Sequence, residues 1–586
     1  MQVIPIDKRV KAFIVSEEDF CYHPLSKMMK KNTLLKIVGF PLFGLLLAGL
    51  SGCSITIWGL TKTNTSNSGL VSTSKDGSTY GATSLSYTAS GTNYKAQATS
   101  FTQSDVELNS TGYMMPSTGK VNVLVIPVIV DDFSTNATEG VRNDISKAFF
   151  GDPSDTSWES LASYYYKSSY GQLLLNGVVA PWYESGYTSK ELSALTYGGT
   201  NSSIKSSYEP TWTILEDAVA WYEKNYSTDL SEFDSNSDGV IDAVWMVYSA
   251  PDYGNDNSLD STDFWAYTYS DLDPYYDAIE NGGKVSSCIP FRYSWASYDF
   301  LYEGYGTSGV DAHTYIHETG HLMGLDDYYV SSTATNYTTN YGPMGRIDMM
   351  DFNVIDHDAY SKFALGWIKP YVVSGATTIT LEPSATTGQA ILIPTSGGKP
   401  TSAFDEYMLL EYYTPTQLNQ SDSAKAYSNG AQGFTENGVR IYHVDARLAE
   451  MSSSGFSKYW DSSSNPATTS MASTSYVMMA HSNSSSYNAN VGTNVAFRLI
   501  QEMDATKKRN FDTQYDLYTS SKTGKEYKAP CAADNSSLFQ EGDVFSFANY
   551  SASFPLSTMN NGKRFDYQVS FSSLSDSSIT VTIALA

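Results

Sequence analysis

The chain has 586 residues, a net charge of −26 and a pI of about 4.6. So acidic a surface repels phosphate backbones and anionic headgroups, which argues against nucleic acid and against direct binding to anionic lipid. Aromatic residues make up 14%, with 45 tyrosines, so this is not a disordered chain, and four cysteines do not make a disulfide scaffold.

Residues 1–27 carry mixed charge and no apolar block, and Met28 or Met29 is the expected start. Lys30 and Lys31 then precede an apolar run of 14 residues, Ile37 to Leu50. That is short for a membrane span, which needs about 20 residues, and right for a signal-peptide core. The run ends in Leu50-Ser51-Gly52-Cys53, which resembles the lipobox of bacterial lipoproteins. Residues 28–52 are therefore expected to be a lipoprotein signal peptide and Cys53 the lipid-bearing first residue. Attachment to the outer face of a bacterial membrane would then run through that lipid. Residues 53–118 are rich in Ser, Thr, Gly and Asn and read as a flexible tether.

The run Val121–Val130 is apolar and β-branched, as in a buried strand, with Pro127 weakening it locally. Helical spacing covers 141–150 and 155–168, and 173–179 reads as a hairpin. A helix is expected over Thr211–Tyr226 and a buried strand over Ala243–Tyr248. Just before that strand, Asp234, Asn236, Asp238, Val240 and Asp242 fall at positions 1, 3, 5, 7 and 9 of a calcium-type loop, with Gly239 at the sharp turn. Position 12 is Trp245, so no helix–loop–helix hand is implied. Three acidic side chains this close repel one another unless a cation bridges them, which points to Ca²⁺.

The densest signal is His317-Glu318-Thr319-Gly320-His321. Histidines four apart share one face of a helix, where both imidazoles reach one ion. Glu318 is rotated about 100° from His317 and stands beside the ion, placed to take a proton from metal-bound water. The helix is expected over 309–323, with Gly324 as its stop. The elongated zinc-protease signature places a third ligand six residues after the second histidine, which is Asp327 here, with Asp326 the neighbouring register. Two histidines and a carboxylate also serve non-haem iron, but there the intervening glutamate has no task. Beyond Pro370 short alternating strands are expected at 378–381, 390–393, 407–412, 439–444, 477–480, 496–500, 567–569 and 579–583, forming one or two sandwiches. Cys288 and Cys531 are the cysteines left that could pair, or they are reduced.

Over residues 119–450 the chain resembles the immune inhibitor A family of secreted bacterial metallopeptidases. The resemblance rests on Asp131-Asp132-Phe133, Tyr165 to Tyr183, the Asp234–Asp242 loop, His317–Tyr329, Asp348-Met349-Met350-Asp351, Gly366-Trp367 and Gly438–Asp445. It implies a metzincin-like catalytic domain over 119–370; with the β-rich region that the strand pattern gives over 371–586, an α+β chain is expected overall. It also implies a methionine turn beneath the ligands, with Met350 the better candidate and Met349 the alternative. His357 and His443 are expected to be structural rather than ligands. The expected activity is hydrolysis of a protein or peptide substrate by Zn²⁺ held on His317, His321 and Asp327, with Glu318 as base. The rival expectation is an inactive surface lipoprotein with a binding role.

Overall fold

The computed structural model describes residues 70–81, 83–106, 113–196, 209–226, 229–270, 288–302, 309–329, 343–427, 432–452, 455–459, 475–483, 495–506, 517–519, 521–522, 524, 526–528 and 533–586. The expected signal segment, Cys53 and Cys531 lie outside them. No helix among the described residues is long and apolar enough to cross a membrane.

The fold is mixed α and β, with several sheets. In the first sheet, Gly119–Ile129 is central and runs parallel to Leu173–Val179 on one side and to Val244–Tyr248 on the other. Arg292–Ser297 continues the sheet in parallel, and Tyr267–Ser270 closes that edge antiparallel. Side chains alternate between faces. Val121, Val123, Val125, Trp245 and Val247 face the core that holds the Glu139–Phe150, Leu161–Ser168 and His313–Leu322 helices. Leu124, Ile126, Val128, Val244 and Met246 face the Glu209–Asn225 helix. Pro127 falls in the gap between the last pair with one neighbour, at Val125, and the first with Tyr183–Glu184, at Val128. No ladder bond is lost there.

The hairpin expected over 173–179 is one continuous strand. Its Asn176-Gly177 pair resembles a turn signal, but both residues answer to packing. Asn176 binds the backbone of Lys75 in both directions, and a Cβ on Gly177 would lie 2.1 Å from Val123 O. A side chain there would push the two central strands apart.

The second sheet runs Phe497–Leu499, Gly438–Asp445, Glu406–Tyr413, Ala390–Pro394, Tyr371–Val373, Tyr94–Ala96, Ser90–Gly91. One face (Ile391, Ile393, Met408, Leu410, Val439, Ile441) packs on a four-stranded sheet built from Thr377–Leu381, Val544–Ser546, Tyr567–Ser575 and Ser578–Leu585. This is the expected sandwich. The other face (Leu392, Tyr407, Leu409, Tyr442, Val444) belongs to the same core as Val121 and Tyr315. A boundary at 370/371 therefore follows the change of sequence texture and not a break in packing.

The described part of 53–118 is not a tether. Val71–Thr73 adds an antiparallel edge strand to the first sheet, and Tyr94–Ala96 adds one to the second. Tyr80, Val106, Met114 and Met115 are buried. Polar composition hid this, because a few apolar side chains and main-chain pairing suffice to dock a strand. A chain beginning at residue 107 loses the burial of Tyr80 and Val106, at about 1.5–3 kcal/mol for each large apolar side chain, and both edge strands. Thermal melts should show it unfolding well below a chain that begins at residue 64. Equal midpoints would restore the tether.

Candidate metal centre

The helix carrying His317 and His321 spans His313–Leu322. Its position is fixed by hydrogen bonds to surrounding elements. Tyr315 Oη donates to Ser297 O at 2.7 Å, Tyr165 Oη to Ile316 O at 2.7 Å and Trp245 Nε1 to Thr319 Oγ1 at 3.1 Å. Gly324 ends it at φ 91°, and a Cβ there would meet Met114 Sδ at 2.5 Å. The chain then reverses and brings Asp327 back over the two imidazoles.

His317 Nδ1 lies 2.8 Å from Met349 O, and His321 Nδ1 lies 2.6 Å from Leu325 O. A carbonyl oxygen only accepts, so both Nδ1 atoms carry the proton and both Nε2 atoms present lone pairs. Those lone pairs converge. The Nε2 atoms are 3.1 Å apart, and Asp327 Oδ1 is 3.1 Å from one and 3.2 Å from the other. Tetrahedral coordination at about 2.0–2.1 Å separates its ligand atoms by about 3.3–3.4 Å, so this donor set fits zinc closely. Among the described residues it is the only set of three His, Cys, Asp or Glu side chains whose ligand atoms lie within 4.8 Å of one another.

The electrostatics agree. Burial opposes charge on His321, yet Asp327 raises its pKa to about 10. Burial would also neutralise Asp327, yet the histidines hold it well below the ordinary carboxylate range. The point between the three favours positive charge, and a cation bound there supplies it while leaving the imidazoles neutral.

Of the two candidate carboxylates, Asp327 joins the cluster. Asp326 instead accepts from Ser482 Oγ at 2.5 Å. Glu318 is buried at 5% exposure, and Thr268 Oγ1 lies 3.1 Å from its Oε2 and 2.9 Å from its backbone O. Burial raises the Glu318 pKa, and His321 and His317 oppose the rise. Met350 packs under the helix, where a Cβ on Gly320 would sit 2.6 Å from its Sδ. Met349 contributes its carbonyl to His317. His357 is boxed by Tyr164, Tyr165 and Trp367, and His443 Nε2 lies 2.9 Å from Glu406 Oε1; neither joins the ligand set.

Two residues of the site carried no separate signal in sequence. Thr268 sits on an edge strand 50 residues from Glu318, and no spacing rule joins them. Burial first, and the nearby Asp327 carboxylate second, raise the pKa of the Tyr329 phenol well above its ordinary value; its place in the run after Gly324 was the available hint.

The Asp234–Asp242 loop is arranged differently. Asp234 accepts from Asp238 N at 3.0 Å and Gly239 N at 2.9 Å, Asp238 from Val240 N at 2.9 Å, and Asp242 from Ser235 N at 2.8 Å. Gly239 takes φ 90°, the sharp turn expected of it. Burial and the neighbouring acids push Asp238 and Asp242 up to about 6. The loop thus gathers its acids in one turn without closing them into a ligand set like that of His317, His321 and Asp327. Cys288 is a free thiol 3.7 Å from Asp234 Oδ2.

The chain matches no family model, and no curated protein matches its sequence.

Two outcomes are expected. Asp327→Ala should abolish stoichiometric zinc binding, measured by metal analysis after dialysis, while Asp326→Ala keeps it; the reverse pattern would transfer the ligand to Asp326. Asp234→Asn with Asp238→Ala should lower the number of Ca²⁺ bound per chain by one, counted by chelator competition, with zinc content unchanged. An unchanged count would make the loop a polar turn.

Proposed function

We propose that the chain is a zinc-dependent endopeptidase of the metzincin-like, immune inhibitor A type, held by lipid on Cys53 at the outer face of a bacterial membrane, with Ca²⁺ at the Asp234–Asp242 loop. The observation that carries the reading is the convergence of His317 Nε2, His321 Nε2 and Asp327 Oδ1 to within 3.2 Å of one another, beside a buried glutamate. The turn formed by Met349 and Met350 beneath the ligands supports the resemblance.

His317, His321 and Asp327 would hold the zinc, which would supply a Lewis acid for the scissile carbonyl and a water acidic enough to ionise near pH 7. The remaining work falls to the chain. The Glu318 carboxylate accepts the proton of the attacking water, and its raised pKa suits it to pass that proton to the leaving amine. Thr268 is within hydrogen-bond reach of that carboxylate and limits its rotation. Met349 and Leu325 hold the imidazoles in the one tautomer that leaves Nε2 free.

Glu318→Gln preserves shape and ligands but removes the base. It should bind zinc stoichiometrically and cleave casein or gelatin roughly 10²–10⁴ times more slowly than the parent chain. Parent-like cleavage would sink the mechanism. Absence of proteolysis in the zinc-loaded parent chain would favour the binding lipoprotein.

A further inference from the structure

The Val244–Tyr248 and Arg292–Ser297 strands are parallel neighbours, with Tyr248 opposite Ser297. Each sends a carboxylate from its C-terminal end to the same edge of the sheet, Asp252 from the first and Asp299 from the second. Ser297 Oγ ties the two ends by donating to Ala250 O at 2.5 Å. Ligands of parallel sheets gather at this edge.

Asp252 is 1% exposed. Its Oδ1 accepts from Gly254 N at 2.5 Å, while its Oδ2 is buried and accepts no N–H or O–H, and the carboxyl group meets that of Asp299. Beside it, Asp299 accepts Asp252 N at 3.2 and 3.1 Å and Asn255 Nδ2 at 3.0 Å. Burial first, and the Asp299 charge second, push Asp252 up to about 6. A buried carboxylate oxygen without a donor, against a second carboxylate, is unfavourable unless a proton or a cation lies between them. The chain following the first strand supplies none, because residues 249–266 hold four Asp, two Asn and no Lys or Arg.

We propose that Asp252 and Asp299, with Asn255 alongside, bind a divalent cation separate from both the His317 centre and the Asp234 loop. The donors are all hard oxygens, which selects Ca²⁺ over zinc. The ion fastens the 249–266 connection to the sheet edge. That connection leads into the Tyr267–Ser270 strand, whose Thr268 contacts Glu318, so the cation steadies the base from a distance. The alternative is a single proton shared by the two carboxyls.

The test counts Ca²⁺ per chain by chelator competition on the full chain carrying Asp234→Asn and Asp238→Ala. One ion should remain, and adding Asp252→Asn should remove it. Asparagine keeps the shape and can donate to Asp299, so a proton-sharing pair tolerates it without any change in count. A background that binds no ion, or a count that Asp252→Asn does not alter, overturns the proposal. Should Asp252→Asn fail to fold, Tb³⁺ luminescence replaces it. Trp265 lies over Gly254, where a Cβ would be 3.6 Å from its ring. Trp265→Phe, at a residue 46% exposed, should at least halve Tb³⁺ emission that Ca²⁺ competes away. Unchanged emission overturns the site. Neither readout depends on proteolysis, so the site and the enzymatic reading can fail separately.

Discussion

Two imidazole N–H groups donated to main-chain carbonyls govern this molecule. With the protons fixed on Nδ1 toward Met349 and Leu325, the opposite nitrogens present lone pairs to a common point. Each carbonyl is itself a product of the fold. Leu325 is presented by the left-handed turn at Gly324, whose lack of a side chain admits Met114. Met349 opens a short helix capped by Asp348, whose carboxylate accepts Met350 N at 2.9 Å. Losing either carbonyl would free a ring to flip, and the donor set would dissolve without any ligand having changed.

Support for that arrangement comes from buried charge. Lys362 meets Asp356 at 2.5 Å and Tyr170 at 3.0 Å, and Arg440 meets Glu411 at 2.7 Å, all buried. At the start of the ligand-bearing helix, His313 Nδ1 lies 2.9 Å from Asp311 and its Nε2 3.6 Å from Asp422. Burial works against its charge, but the two acids raise its pKa to about 10. Such pairs contribute little net stability, yet removing one partner strands the other, at a cost of about 3–5 kcal/mol. They therefore fix geometry more than they stabilise. One of them also links sequence-distant parts: Asp422 comes from the sandwich half and His313 from the half that carries the candidate ligands.

What was legible in the sequence was short-range. His317, Glu318 and His321 are separated by fixed helical angles, and the glycine stop lets the chain deliver Asp327, so periodicity alone assembles most of the centre. Spacing left Asp326 as the neighbouring register to Asp327; in the fold Asp326 is instead engaged by Ser482, 156 residues away. Thr268 was out of reach for the same reason. The misread hairpin at Asn176-Gly177 has the opposite cause. A local turn signal was present, but the side chain of Asn176 is committed to Lys75 and the space over Gly177 to Val123. The boundary at residue 370 was drawn where strand texture changes, whereas one core continues from Val121 to Phe497 beneath both halves.

The docking of Val71–Thr73 and Tyr94–Ala96 bears on how far the candidate metal centre could stand from a membrane under the proposed anchoring. With a lipid on Cys53 and the chain engaged from Leu70 onward, 17 residue steps connect the two. At about 3.3–3.6 Å per residue they span at most roughly 60 Å. A free segment running to residue 118 would have allowed nearly four times that radius. If the chain is anchored as proposed, that reach would confine it to a shell roughly 60 Å deep, and the substrates of the proposed peptidase would be proteins that enter that shell.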